Sequence, residues 1–230
     1  SPPPAHPAGP GNPPRIADEP AQHAAASAVG GQRPRREAEA ARTEGNSPVA
    51  LRAQRTREPG GGPAMILPFS ESVGAASFRR GDIGFVIFSE RRPIDLAALH
   101  DDPVFNAATV QLLAHGTLIR VPLPAERSMA LARGQSGWRI GVANGSPATL
   151  PIIPSFAADK ILFPAAAPAG IVVLRDPITG VTLLVGTQRA TGQAVTTARS
   201  TAELALPVTE QGLVVEAISD NLVLRAQPDG

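Results

Sequence analysis

From Met65 onward the chain is a succession of short apolar runs punctuated by turn residues, the rhythm of strands rather than helices. Ile83 to Phe88 is apolar on both faces, as a strand covered above and below must be. Trp138, Ile140 and Val142 alternate with Arg139 and Gly141, which predicts a strand with one wet face. Four hairpins are expected: Ala76 to Phe88 around Arg80-Gly81-Asp82, Met129 to Val142 around Gly134 to Gly137, Ile171 to Val185 around Pro177 to Gly180, and Leu213 to Ala226 around Ser219-Asp220-Asn221. Each reversal carries Gly, Asp, Asn or Pro, residues that accept positive φ or fix φ. Thr109 to Leu113 and Thr117 to Leu123 read as a further strand pair turning at His115-Gly116. Between these, Pro93 to Leu99 reads as one or two helical turns led by Pro, and a second short helix is expected after Asp102-Pro103 with Asp102 as its cap.

The pattern predicts a mostly β domain over residues 65–230, with short helices only near 93–108. Its antiparallel hairpins build either a sandwich or a partial propeller, since the loose spacing of the turns suits both. Residues 1–64 have a different character. All seven Phe and the single Trp follow residue 64, and the segment before it is rich in Pro, Ala, Gly and Arg. With few large apolar groups to bury, ordering it would not recover the backbone entropy lost, so a disordered leader is expected.

Composition narrows the function. The leader has eight Arg against six acids and the remainder 13 basic against 14 acidic residues, too little charge density for a nucleic-acid binder. The leader's cations also lack aromatic partners on which bases would stack. The absence of cysteine excludes disulfides, thiolate metal sites and thiol catalysis, and suits cytosol and periplasm alike. The longest uncharged apolar stretch, Ile161 to Leu174, contains Pro164 and Pro168, so it reads as strand, turn and strand and not as a membrane span. The first residue is Ser1, consistent with a processed product or a fragment of a longer chain. One Lys beside twenty Arg, with abundant Ala, Gly and Pro, suggests a GC-rich bacterial genome.

Chemistry-bearing residues are sparse. His100, Asp101, Asp102 and His115 form the one cluster with acid/base or metal-ligand potential, because imidazole and carboxylate together bind zinc or relay protons. The competing structural reading makes Asp102 a helix cap and His115 a turn residue, and it carries more weight. Arg80-Gly81-Asp82 matches an integrin-recognised tripeptide but is explained as a hairpin turn. Gly134-Gln135-Ser136-Gly137 lacks the spacing of a nucleophile elbow, and no P-loop, dinucleotide fingerprint, zincin or EF-hand motif occurs. No cofactor is implied.

The stretch Phe78 to Phe88, followed by Arg92-Pro93-Ile94-Asp95-Leu96 and Leu118 to Leu123, resembles the β-rich region that precedes tetratricopeptide repeats in alphaproteobacterial envelope proteins. More distantly it is similar to the AMIN module, a small β domain that targets envelope proteins to peptidoglycan or division sites. The resemblance covers about residues 66–142 and implies a periplasmic or envelope location and a protein or peptidoglycan partner. It supplies no catalytic residue. The expectation is therefore a non-catalytic binding or scaffolding module of a cell-envelope protein. The alternatives are a cell-wall-directed hydrolase using His100, Asp101 and His115, and a self-assembling domain that pairs through exposed strand edges.

Overall fold

The computed structural model describes residues 48–157 and 160–228, so the first 47 residues of the expected leader lie outside it. The regular structure of the described chain is almost entirely β. Its first strands are β1 (Leu51–Arg52), β2 (Gln54–Arg57), β3 (Pro63–Leu67), β4 (Ala75–Arg80), β5 (Ile83–Phe88) and β6 (Ile94–Asp95). Two single 3-10 turns, Ala97–Leu99 and Phe105–Ala107, precede β7 (Thr109–Leu112), β8 (Thr117–Pro122), β9 (Arg127–Gly134) and β10 (Gly137–Asn144). Short strands β11 (Leu150–Pro151), β12 (Ser155–Phe156) and β13 (Ile161–Leu162) lead to the long pair β14 (Pro168–Arg175) and β15 (Thr182–Gln188). The remainder is β16 (Gln193–Ala194), β17 (Arg199–Ser200), β18 (Leu204–Leu206) and β19 (Leu213–Ala217).

A four-stranded sheet, β2-β3-β10-β9, packs on a larger one ordered β17-β18-β19-β15-β4-β5-β8-β7, with β14 also on β15. Of the two expected architectures this packing is that of a sandwich. Met65, Leu67, Met129, Trp138 and Ile140 of the small sheet meet Val86, Phe88, Ile119 and Val121 of the large one in the first core. The alternation of β5 explains why its whole run is apolar. Val86 and Phe88 enter this first core, whereas Phe85 and Ile87 point the other way, into a second core with Val172, Leu183, Val185 and Val214.

The second core brings Ile87 of β5 and Leu118 of β8 together with Val172 of β14, strands far apart in the sheet order. The sheet therefore bends between them, and β15 meets β4 there through the single register pair Gln188–Ala75. Buried amides hold the joint. Gln211 donates to the Ala190 carbonyl at 2.7 Å and accepts from Gly192 N–H at 3.0 Å. Satisfied in this way, side chains that would otherwise carry a desolvation cost fix the geometry of the bend.

Three of the four expected hairpins are present as β4–β5, β9–β10 and β14–β15, and the pair β7–β8 is present as well. Gly81 turns the first with φ +55°, and Gly137 opens β10 with φ +114°, conformations that suit glycine. The fourth expectation is corrected. Both edges of β19 are already paired, to β15 and to β18, so Leu222–Ala226 has no strand to join and leaves the sheet.

Two further corrections concern the start of the domain and the helices. The expected boundary at residue 65 falls inside the fold: β2 pairs with β3 over four positions, and Leu51 and Ala53 are buried in the first core. A few well-placed aliphatic residues suffice there because the backbone is satisfied elsewhere: Leu51 and Ala53 donate to the Pro93 and Asp95 carbonyls, each at 2.9 Å, and β2 pairs with β3. Pro93 does not lead a helix but precedes β6, which pairs in parallel with β1. Asp102 does act at a turn, where its carboxylate accepts from Val104 N–H at 3.0 Å and Phe105 N–H at 3.1 Å and pairs with Arg55 at 3.2 Å.

One edge strand is guarded by side chains. On β9, the Arg127 carbonyl accepts from Arg79 at 2.6 Å and the Met129 N–H donates to Glu210 at 3.1 Å, so part of this edge is closed to strand addition. Burial raises the Glu210 carboxyl to about 7, against the Met129 N–H and the charge of Arg79, which favour ionisation. A carboxyl raised in the folded state lets stability fall as pH climbs from about 4.5 to about 7, where the folded form must give up a proton it holds more tightly than the unfolded form. Discounted for its partial exposure, the effect is about 1–2 kcal/mol. Arg79, Glu126 and Arg127 face the same cavity, so the comparison must isolate Glu210. Glu210→Gln keeps an acceptor for Met129, and chemical denaturation at pH 5 and pH 8 is expected to place it ahead of wild type by that amount at pH 8 relative to pH 5. An identical gap at both pH values would show that Glu210 titrates normally.

Candidate functional site: an apolar groove

The outer face of β15 and β19 poses a covering problem. In β19, Val214 enters the second core while Leu213 and Val215 face outward, and in β15 Leu184 does the same between Leu183 and Val185. Both faces of this part of the sheet are therefore apolar, but no third full sheet follows. Instead, the outward residues form a third core with Ile152, Phe163, Val195, Leu204 and Leu206, drawn from short strands and irregular chain. Such a cover meets the backbone's hydrogen-bonding needs less regularly than a sheet, and it leaves gaps.

One gap is a groove of about 420 Å³. Ile152, Ile161, Phe163, Ile171 and Leu213 form its apolar wall, with Lys160, Arg225 and Gln227 also lining it. A second cavity, about 720 Å³, adjoins it and shares Lys160, Ile161, Phe163, Val223 and Leu224. Both volumes are in the range of pockets that accept small molecules or side chains of a partner. Thr187, which lines the groove, and Gln193, outside its lining, have their hydrogen bonds committed. Thr187 Oγ1 accepts from Gly170 N–H at 3.1 Å and donates to the Gly170 carbonyl at 2.7 Å. Gln193 accepts from Ala166 N–H at 2.7 Å and donates to the Pro164 carbonyl at 3.0 Å. They hold the wall β14–β15 and the Pro164–Ala166 turn in place, and their hydrogen bonds are already made.

Between the two cavities runs the segment that left the sheet. Leu222 and Leu224 are half-buried against the third core, while Val223 is 70% exposed. Surface apolar residues are numerous in this half of the fold: Leu150, Ile153, Phe156 and Leu162 are all exposed.

The residues singled out from sequence lie elsewhere. His100 Nδ1 and Asp101 Oδ1 are 3.0 Å apart, but their side chains are 87% and 90% exposed. His115 is exposed in the β7–β8 turn. None of the three lines the groove or its neighbouring cavity. No group of three or more His, Asp or Glu placed to hold a metal occurs among the described residues. The Arg80-Gly81-Asp82 turn does not offer its arginine, which pairs with Glu216 and lies 3.4 Å from Asp176. Burial alone would raise Asp176, but N–H donors from Ile178 and Thr179, with Arg80 nearby, hold it below the usual carboxylate range. No helix among the described residues is long and apolar enough to cross a membrane.

Sequence reading missed the groove because its residues look like ordinary strand interior. A signal was present all the same: Leu183-Leu184-Val185 and Leu213-Val214-Val215 are apolar without alternation, so both faces had to be covered. No family model matches the chain, and neither curated proteins nor solved structures show a match to it.

Proposed function

We propose that residues 48–230 form a non-catalytic binding or scaffolding module, part of a bacterial cell-envelope protein, that takes an apolar ligand into the groove over β15 and β19. The observation that carries this reading is the groove itself, an open apolar hollow of about 420 Å³ with Lys160 and Arg225 among its lining. An apolar wall supplies affinity through removal of surface from water, and charged groups at its border orient what enters. His100 and Asp101 are exposed and line neither the groove nor the cavity beside it, which supports binding over hydrolysis. Acid/base catalysis needs positioned groups in reach of a held substrate. The envelope assignment rests on the resemblance of the Phe78 to Leu123 region and is part of the proposal.

Anilinonaphthalene sulfonate, an apolar anion, is a suitable probe. Wild type is expected to bind it saturably at one site, with fluorescence enhancement. Ile161 is only partly buried, so Ile161→Glu is expected to weaken dye binding at least tenfold at a stability cost of about 1 kcal/mol. Absence of saturable binding, or equal binding by the variant, would remove the groove from the account.

A further inference from the structure

The segment Leu222–Gln227 has the form of a bound peptide more than that of a structural element. It belongs to no strand or helix, and its side chains alternate half-buried at Leu222 and Leu224 with exposed at Val223 and Arg225. Along Val223–Gln227 no backbone N–H makes a hydrogen bond among the described residues, and Leu222 N–H makes a long one of 3.4 Å to the Ser219 carbonyl. The strap is therefore held by two leucines on an apolar bed, without a ladder. Segments with so few buried contacts and unpaired amides open at low cost. It also fails to fill its bed, since a cavity lies on either flank and both are lined by Val223 and Leu224.

We propose that this groove is the docking site for an extended segment of another protein chain, with leucine-like residues two positions apart, and that Leu222–Gln227 occupies it in cis as a competing pseudo-ligand. The inference rests on the binding-module reading and names both the partner class and its regulation. The occupant is argued from the strap itself: burial alternates along it, so that every second side chain turns toward the third core, and Leu222 and Leu224 show which side chains that core accepts. β19 is paired along its whole length by β15 and at Glu216 and Ala217 by β18, so the partner docks on the face of the sheet and not by strand addition. Tethered to β19 by a short turn, the strap competes at a high effective concentration and weakens the apparent affinity for any partner.

The test uses the full chain and a fluorescein-labelled peptide with the sequence of residues 219–228. Leu222→Ser/Leu224→Ser releases the strap and is expected to bind this peptide at least tenfold more tightly than wild type does. A control peptide with both leucines changed to serine is expected not to bind. Equal affinity for the two proteins, or no binding to either, overturns the proposal. Should the double variant not fold, wild type is titrated to millimolar peptide and followed by methyl NMR. Shifts at Ile161, Leu204 and Val215 then support the proposal, and their absence overturns it. Dye binding by wild type in parallel separates the two readings: dye without peptide leaves a binding module for another ligand, whereas neither means that the groove binds nothing of this class.

Discussion

A chain beginning at Met65 loses its cooperative unfolding transition, while one beginning at Pro48 keeps it. The shorter chain lacks β1, β2 and half of the β3 pairing, and with them Leu51 and Ala53 of the first core. It also lacks Arg55, which leaves Asp102 as a carboxylate 1% exposed without its cation. Glu58, the partner of Arg139 over β10, is lost as well. Loss of one buried Leu costs about 2–5 kcal/mol. Removing one partner of a fully buried pair costs about 3–5 kcal/mol, less here because Arg55 is half-exposed. With an opened edge at β3 added, the total is comparable to the roughly 5–15 kcal/mol stability of an ordinary domain. Guanidinium denaturation of the two truncated chains checks this. A sharp transition for the chain from Met65, at the midpoint of the longer one, would mean that the first strands are an ornament on an independent core.

Trp138→Ala is the point substitution with the largest expected effect. Trp138 is fully buried at the centre of the first core. Its ring lies 6.4 Å from Phe88 at 60°, and Phe88 in turn stacks on Phe69 at 4.4 Å. The Arg133 guanidinium sits 5.0 Å from the ring centre, and Nε1 donates to the Val73 carbonyl at 2.9 Å. Truncation removes the ring and leaves a cavity, while the Val73 carbonyl keeps a second donor, Arg133 Nη1 at 3.1 Å. A loss of about 3–5 kcal/mol follows from the cavity. Trp138→Phe retains most of the volume and is expected to lose less than half as much. Urea titration reads both, and a change under about 1 kcal/mol for the alanine variant would place this side chain outside the core.

The elements legible from sequence were those whose stabilising interactions are local. Hairpins β4–β5, β9–β10 and β14–β15 carry their turn residues between their strands, and the two-faced apolar run of β5 announced a central position. The fate of Leu222–Ala226 was not legible, because it is decided by whether β19 has a free edge. That depends on β15 and β18, and a sequence window around Ser219 contains neither. Likewise, Leu51 and Ala53 in an Arg-rich, aromatic-free stretch do not suggest a core until Pro93 and Asp95, some forty residues on, are seen to supply their backbone partners. The groove follows the same rule. It arises from a mismatch between an apolar face and the irregular chain that covers it, and neither side of that mismatch is visible in Ile152 or Phe163 alone. His100 and Asp101, where chemistry was easiest to see, are adjacent residues whose contact is a property of their turn.

The central claim is that the hollow over β15 and β19 is a binding site for apolar groups. Methyl NMR of the wild-type chain during titration with anilinonaphthalene sulfonate tests it most directly, because it reports where the probe lies as well as whether it binds. The account predicts saturable shifts at Ile152, Ile161, Ile171, Leu213 and Leu224, with the first-core methyls of Val86 and Ile119 unmoved. Shifts scattered over the exposed apolar residues Ile178, Val208 and Ile218, with none in the groove, would contradict it.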